Sequence, residues 1–173
     1  MKTNFLQFTW RVTALHTVTY FVAGLFFSQL FNYSSLFDTE ILSVYMKPVS
    51  SPWVAAGPAL NILRGILFGV ILWGLKDAFI NVKYGWLKLW SVFLGFAVIG
   101  TAAAAQGSLE GIIYSELPLM THLKGLPEVL TQTLLFSVLL LQWYRKPGKV
   151  WNILMGVLMG LIVLMSLAGV FLR

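Results

Sequence analysis

Residues 58–76, PALNILRGILFGVILWGLK, form an apolar run that is interrupted inside by a single charged side chain, that of Arg64. About 20 apolar residues are needed for a helix to cross the hydrocarbon core of a bilayer. A run of this length and composition can satisfy its backbone hydrogen bonds in lipid only as a helix. Residues 58–76 therefore predict a membrane-spanning helix.

Four more apolar runs of similar length lie on either side of this one. The 173-residue chain is 58% hydrophobic and only 10% charged, whereas soluble domains carry roughly 25% charged residues. We therefore predict an all-α fold in which residues 1–173 form a single transmembrane domain, a bundle of five membrane-spanning helices. The predicted helices are about 12–31, 58–76, 86–106, 127–144 and 150–172.

The basic residues are concentrated on one side of this predicted bundle. Cytoplasmic loops of membrane proteins carry an excess of Lys and Arg, and tryptophan prefers the membrane–water interface. Eight basic residues and six of the seven tryptophans lie at one side, which predicts a cytoplasmic N-terminus and a C-terminus outside. The eight are Lys2, Arg11, Lys76, Lys83, Lys88, Arg145, Lys146 and Lys149, and the other side has Lys47, Lys124 and Arg173.

The acidic residues and the long loops lie on the opposite, outer side. The two outer loops, about 32–57 and 107–126, are rich in apolar and aromatic residues. Such loops are expected to form short amphipathic helices on the membrane surface or to cap the bundle. Any functional site is therefore expected on the outer side. The outer acids are Asp38, Glu40, Glu110, Glu116 and Glu128, and the inner side has Asp77.

Arg64 is the first candidate for a functional role. If its helix starts at Pro58, Arg64 lies roughly 9 Å below the outer boundary, where a charge costs a few kcal/mol unless it is paired or reaches the head groups. It could pair with an outer carboxylate such as Glu110, extend to the head groups, or bind an anionic ligand. The ligand-binding candidates are Arg64, Asn61, Glu110, Tyr114 and Gln132.

Three outer residues are candidates for acid–base chemistry, which requires a group that titrates near neutral pH when its environment is tuned. They are Glu110, His122 and Glu128. Glu128 also has a structural explanation, because a helix N-terminus favours negative charge. The spacing of these residues matches no catalytic motif. With two histidines and no cysteine, we predict no metal site and no cofactor.

Small and polar residues indicate where helices pack. Gly65 and Gly69 in the second helix, and Gly156 and Gly160 in the fifth, have the spacing that allows another helix to approach closely. His16 lies in a polar stripe of the first helix and is expected to pack against other helices. The partner of the fifth helix could belong to the same chain or to another subunit.

Three classes of function are compatible with these observations. We favour a small integral membrane protein that acts without catalysis, as a membrane subunit or as a lipid- or ligand-binding protein with its polar site outside. The alternatives are an intramembrane enzyme at the outer leaflet with a Glu/Arg/His site, and an oligomeric transporter or channel. The expected partners are membrane lipids and a second copy or partner subunit on the fifth helix. Nucleic acid is not expected, because the basic residues are spread over loops. The expected location is a bacterial or archaeal plasma membrane.

Overall fold

The computed structural model describes residues 4–101 and 103–172, and within these ranges the regular structure is entirely helical. Lys2 and Arg173, which contribute to the predicted charge asymmetry, lie outside the described residues. The α-helices are α1 (Phe5–Leu30), α2 (Tyr33–Phe37), α3 (Glu40–Ser43), α4 (Pro52–Leu75), α5 (Gly85–Leu94), α6 (Leu109–Tyr114), α7 (Leu119–Arg145) and α8 (Lys149–Phe171).

Helix α1 is the centre of the bundle. It contacts α4, α7 and α8, while α5 packs on α7 and α4 packs on α8. The chain enters α1 through Asn4, whose side-chain oxygen accepts a hydrogen bond of 2.9 Å from the backbone N–H of Gln7. Such a cap satisfies one of the N–H groups that have no partner in the first turn. Every residue from 11 to 19 is buried, so this middle part of α1 is enclosed by the other helices.

Glycines allow α4 to lie directly against α1. A Cβ atom added at Gly65 would be 2.8 Å from the Cα of Thr13, and one added at Gly69 would be 2.9 Å from the Cα of Thr9. No side chain fits at these distances, so both positions depend on the absence of a Cβ. Close backbone approach of this kind is the way in which membrane helices gain packing energy.

Three helical segments are long and apolar enough to cross a membrane. They are Pro52–Ala78, which adds a 3₁₀ turn to α4, together with Leu119–Arg145 and Lys149–Phe171. Much of their apolar surface is exposed, as expected for helices that contact lipid. These properties identify a helical membrane protein.

Two predicted helix starts are too late, because prolines are accommodated inside the helices. α4 begins at Pro52, and Pro58 lies within it; α7 begins at Leu119, and Pro127 lies within it. A proline removes one backbone hydrogen bond, which membrane helices tolerate when their surroundings compensate. As a consequence, Arg64 lies near the middle of α4 and not in its second turn.

The third predicted helix ends earlier than the hydrophobic pattern indicates. α5 passes into a π-helical turn at residues 95–99, which ends with the N–H of Gly100 donating to the carbonyl of Gly95 at 2.7 Å. Residues 100–101 and 103–106, which we predicted to be helical, are not helical in the structure and precede α6.

Candidate ligand cavity

A cavity of about 910 Å³ lies at the end of the bundle where α1 ends and where α4 begins. We call this end, which includes residues 20–30 of α1, the cavity end, and we call the end that contains residues 8–19 of α1 the packed end. Helix α2 and the segment between α3 and α4 contribute to the walls of the cavity. The lining residues include Tyr20, Phe21, Gly24, Leu25, Ser28, Tyr33, Phe37, Tyr45, Met46, Lys47, Val54, Gly57, Pro58, Gln106, Gly125 and Glu128.

Small residues create this space. Gly57 lines the cavity, and a Cβ added there would have no atom within 4 Å. On α1, a Cβ at Gly24 would be 3.5 Å from Oε1 of Glu128, which is ordinary contact. Because these positions carry no side chain, a volume stays open between the helices that larger side chains would fill.

The walls are mainly apolar and aromatic. Five aromatic residues contribute to them, and two of these, Tyr33 and Phe37, are stacked with their ring centroids 5.2 Å apart. The charged residues of the lining are Glu128 and Lys47. An apolar pocket with a few polar groups is the usual form of a small-molecule site. The other three aromatic residues are Tyr20, Phe21 and Tyr45.

Glu128 is held by a short hydrogen bond from Tyr33, whose hydroxyl donates to Oε2 at 2.5 Å. Asn32 precedes α2 and adopts a left-handed conformation with φ of 48°. Its side chain accepts a hydrogen bond from the backbone N–H of Ser35 and so caps α2, the helix that begins with Tyr33. Burial, together with the hydrogen bond to the Glu128 carboxylate, raises the pKa of Tyr33. Tyr33 therefore stays protonated and remains a donor.

Gln106 forms another part of the wall and links two segments of the chain. Its amide nitrogen donates to the carbonyl of Thr121 at 2.8 Å, and Gly125 on α7 lies against the amide group. This hydrogen bond places Gln106 near the start of α7. The amide oxygen accepts no hydrogen bond within the described ranges.

His122 is a structural residue in this arrangement. It is fully buried, and its Nδ1 accepts a hydrogen bond of 3.1 Å from the backbone N–H of Gly107. Nε2 lies 3.3 Å from Oγ of Ser115, which itself donates to the carbonyl of Gly111 at 2.6 Å. These partners require the neutral tautomer with the proton on Nε2. His122 thus ties residues 107–115 to α7, and it does not line the cavity.

The other sequence candidates lie away from the cavity. Arg64 is exposed on α4 and has no ion-pair partner among the described residues, so the structure does not bring it to Glu110. Asn61 is buried in α4, and Tyr114 is 73% exposed on α6. Of the candidate set, only Glu128 contributes to the cavity wall. The candidates absent from it are Arg64, Asn61, Glu110, Tyr114, His122 and Gln132.

His16 lies within α1, one turn before Tyr20, in an aromatic environment. Its ring is 4.8 Å from that of Phe68, 6.1 Å from that of Phe136 and 6.3 Å from that of Tyr20. Its Nε2 is buried without a hydrogen-bond partner in the described part of the chain. His16 itself does not line the cavity, whereas Tyr20 does.

Sequence reasoning found one wall residue and missed the others. Tyr33 and Glu128 are 95 residues apart, and nothing in the sequence pairs them. The polar stripe of α1 continues through Tyr20 and Gly24 to Ser28 at four-residue spacing. This spacing indicates that the three residues share one face of α1, and that face lines the cavity. Gly57 and Lys47 have no distinguishing pattern.

The described residues contain no group of three or more His, Cys, Asp or Glu side chains that could hold a metal ion. Comparison of the chain with protein-family profiles, with curated proteins and with solved structures finds no match.

Proposed function

We propose that this protein crosses the membrane five times and binds an amphiphilic lipid in its cavity, without catalysing a reaction. Besides the three long apolar segments, α1 is 26 residues long, and α5 with its π turn covers residues 85–99. The polar side chains among residues 11–19 of α1 are buried, which suits a central helix within a membrane bundle.

The positions of Lys, Arg and Trp support an outer location for the cavity. The packed end carries Trp143, Trp151 and the basic loop with Arg145 and Lys149, whereas the cavity is at the opposite end of α1. The excess of basic residues on cytoplasmic loops then assigns the packed end to the cytoplasm. The cavity lies in the outer half of the membrane, and we propose the plasma membrane of a bacterium or archaeon.

The observation that carries the proposed function is the shape and lining of the cavity. Its volume is in the range of pockets that enclose small molecules. Leu25 and Val54 both line it and are 48% and 37% exposed, so its apolar wall continues onto the surface that contacts lipid. A head group can lie inside while an acyl chain extends along this surface.

Binding is favoured over catalysis by the distribution of the reactive groups. The enzyme hypothesis places Glu110, Arg64, His122 and Glu128 around one space, and of these only Glu128 lines the cavity. One oxygen of the Glu128 carboxylate accepts from Tyr33, and both ring nitrogens of His122 have structural partners.

We also propose that α8 is the surface for a second copy or a partner subunit. Cβ atoms added at Gly156 and Gly160 would have no atom within 4 Å, so this close-packing surface is uncovered within the described chain. Helix association through small residues is common in membranes.

A cavity-filling variant tests the lipid-binding function. Gly57→Leu places a side chain into the cavity, whereas Gly74→Leu, on the same helix and equally free of neighbours, adds the same side chain elsewhere. Native mass spectrometry of protein purified in mild detergent should show bound lipid in the wild type and in Gly74→Leu. The ratio of lipid-bound to lipid-free protein should be at least tenfold lower in Gly57→Leu, equivalent to about 1.4 kcal/mol. Equal occupancy in all three would contradict lipid binding in the cavity.

A further inference from the structure

We infer that the cavity selects a phospholipid with a primary ammonium head group, whose ammonium pairs with Glu128 and whose phosphate pairs with Lys47. The inference rests on the proposed function and adds the chemical class of the ligand. It is carried by the charges of the cavity, by its aromatic wall and by its unused hydrogen-bond acceptors.

The first observation is the charge of Glu128. Tyr33 donates to Oε2, and Oε1 lies against Gly24. In the part of the chain that the structure describes, no basic group lies within salt-bridge distance of this carboxylate. Glu128 is half-buried in a mainly apolar wall, where an unpaired charge is costly. A cationic ligand group would remove this cost, whereas a phosphate or carboxylate beside Glu128 would increase it.

The second observation is the aromatic composition of the wall. The faces of aromatic rings attract cations, and the attraction is stronger where water is excluded. A carboxylate together with several aromatic rings is therefore suited to an ammonium group. The aromatic residues that share the cavity with Glu128 are Tyr20, Phe21, Tyr33, Phe37 and Tyr45.

The third observation is the position of Lys47. It is exposed, it lines the cavity from the segment between α3 and α4, and it has no ion-pair partner within the described ranges. A lysine ammonium is a compact donor that binds phosphate as a point charge. The cavity therefore presents one negative and one positive group, as required by a zwitterionic head group that carries an ammonium and a phosphate.

The unused acceptors favour a primary over a quaternary ammonium. Oε1 of Glu128 and the amide oxygen of Gln106 accept no hydrogen bond within the described residues, and both residues line the cavity. A primary ammonium has three N–H donors, so it can satisfy these oxygens. A quaternary ammonium has no N–H and cannot donate a hydrogen bond to them.

The test uses the full-length protein and three phospholipids with identical acyl chains: phosphatidylethanolamine, phosphatidylcholine and phosphatidylglycerol. Each is titrated into detergent-solubilised protein, and the bound fraction is measured by native mass spectrometry. The wild type should bind phosphatidylethanolamine at least tenfold more tightly than phosphatidylglycerol, because charge-assisted hydrogen bonds contribute a difference of this order.

Two variants separate the contributions of the charged residues. Glu128→Gln keeps the size of the side chain and an oxygen that accepts from Tyr33, and it should lower the preference for phosphatidylethanolamine over phosphatidylglycerol by roughly tenfold. Lys47→Gln should weaken all three lipids, because each contains the phosphate. Glu116→Gln is the matched control, since Glu116 is also an outer acid but does not line this cavity, and it should bind like the wild type.

The outcomes distinguish this inference from the proposed function. Equal binding of the three lipids, with Gly57→Leu still abolishing it, would overturn the head-group selection and leave lipid binding intact. Equal binding of phosphatidylcholine and phosphatidylethanolamine would overturn the assignment to a primary ammonium. Absence of any bound lipid, with no difference between wild type and Gly57→Leu, would overturn the proposed function as well.

Discussion

The packed end and the cavity end of the bundle use glycine for opposite purposes on the same helix. At the packed end, Gly65 of α4 lies so close to α1 that an added Cβ would be 2.8 Å from the Cα of Thr13. At the cavity end, Gly57 faces open space, with no atom within 4 Å of such a Cβ. Glycine can therefore allow two helices to approach closely, or it can leave space between them open. Which of the two occurs depends on whether a neighbouring helix lies opposite the glycine.

The aromatic residues follow the same division. At the packed end they fill the interior: Trp143 is fully buried, stacks on Trp151 with centroids 5.7 Å apart, and lies 5.6 Å from the guanidinium carbon of Arg11. At the cavity end, tyrosines and phenylalanines line a wall. Large side chains therefore fill the interior at one end, and they line the cavity at the other.

Gly65→Leu is expected to have the largest effect on stability. The new side chain overlaps the backbone of α1, so the two helices must separate, and the free energy of unfolding should fall by roughly 3 kcal/mol. Unfolding in mixed micelles with increasing sodium dodecyl sulfate measures this change. Gly74→Leu is the control, because no atom lies near a Cβ at that position. Equal stability of the two variants would show that the packed end is looser than the structure indicates.

His122→Ala is expected to have the next largest effect. It leaves the buried N–H of Gly107 without its acceptor, and it should lower the free energy of unfolding by roughly 2 kcal/mol. Amide hydrogen exchange should become faster in residues 107–115, which His122 ties to α7. Leu123→Ala, at the exposed neighbouring position, should leave exchange in this segment unchanged. Unaltered protection of Gly107 in His122→Ala would refute the structural role.

Tyr33→Phe should have the smallest effect, about 1 kcal/mol, because a half-buried hydroxyl loses one hydrogen bond to Glu128. The pKa of Tyr33 is raised in the folded protein. Its contribution to stability is therefore present below the ordinary tyrosine pKa of about 10 and is lost as the pH rises above that value.

Alkaline titration of tyrosine absorbance checks this prediction. The wild type should show a late-ionising tyrosine that is missing in Tyr33→Phe and retained in Tyr114→Phe, a variant outside the cavity. If the late phase remains in Tyr33→Phe, the Tyr33–Glu128 hydrogen bond is not the cause of the shift.

The sequence predicts more of the fold than of the candidate site. Long apolar runs with few charges identify membrane helices, because lipid leaves no other backbone structure available. The helix starts at Pro52 and Leu119 were missed, because Pro58 and Pro127 look like first-turn residues in sequence although both lie inside helices. Glu128 was a candidate as an acid near a helix start, whereas its partner Tyr33 was not.

Two pairs of glycines show the limit of such reasoning. Gly65 and Gly69 have the same spacing as Gly156 and Gly160, and the sequence predicts close packing equally for both pairs. In the structure, the first pair lies against α1, and the second has no neighbour in the described chain. Spacing places two small residues on one face of a helix, but it does not specify which surface lies opposite that face.

The sequence by itself determined that this is a helical membrane protein, because an apolar helix is favourable in lipid whatever its neighbours are. The distribution of Lys, Arg and Trp also predicts that the acidic residues lie on the outer side. Only the tertiary structure decided that Tyr33 meets Glu128, that Arg64 is exposed and unpaired in the described chain, and that Gly57 borders a cavity. These features depend on contacts between segments far apart in the chain, and such contacts are set by the packing of all the helices together.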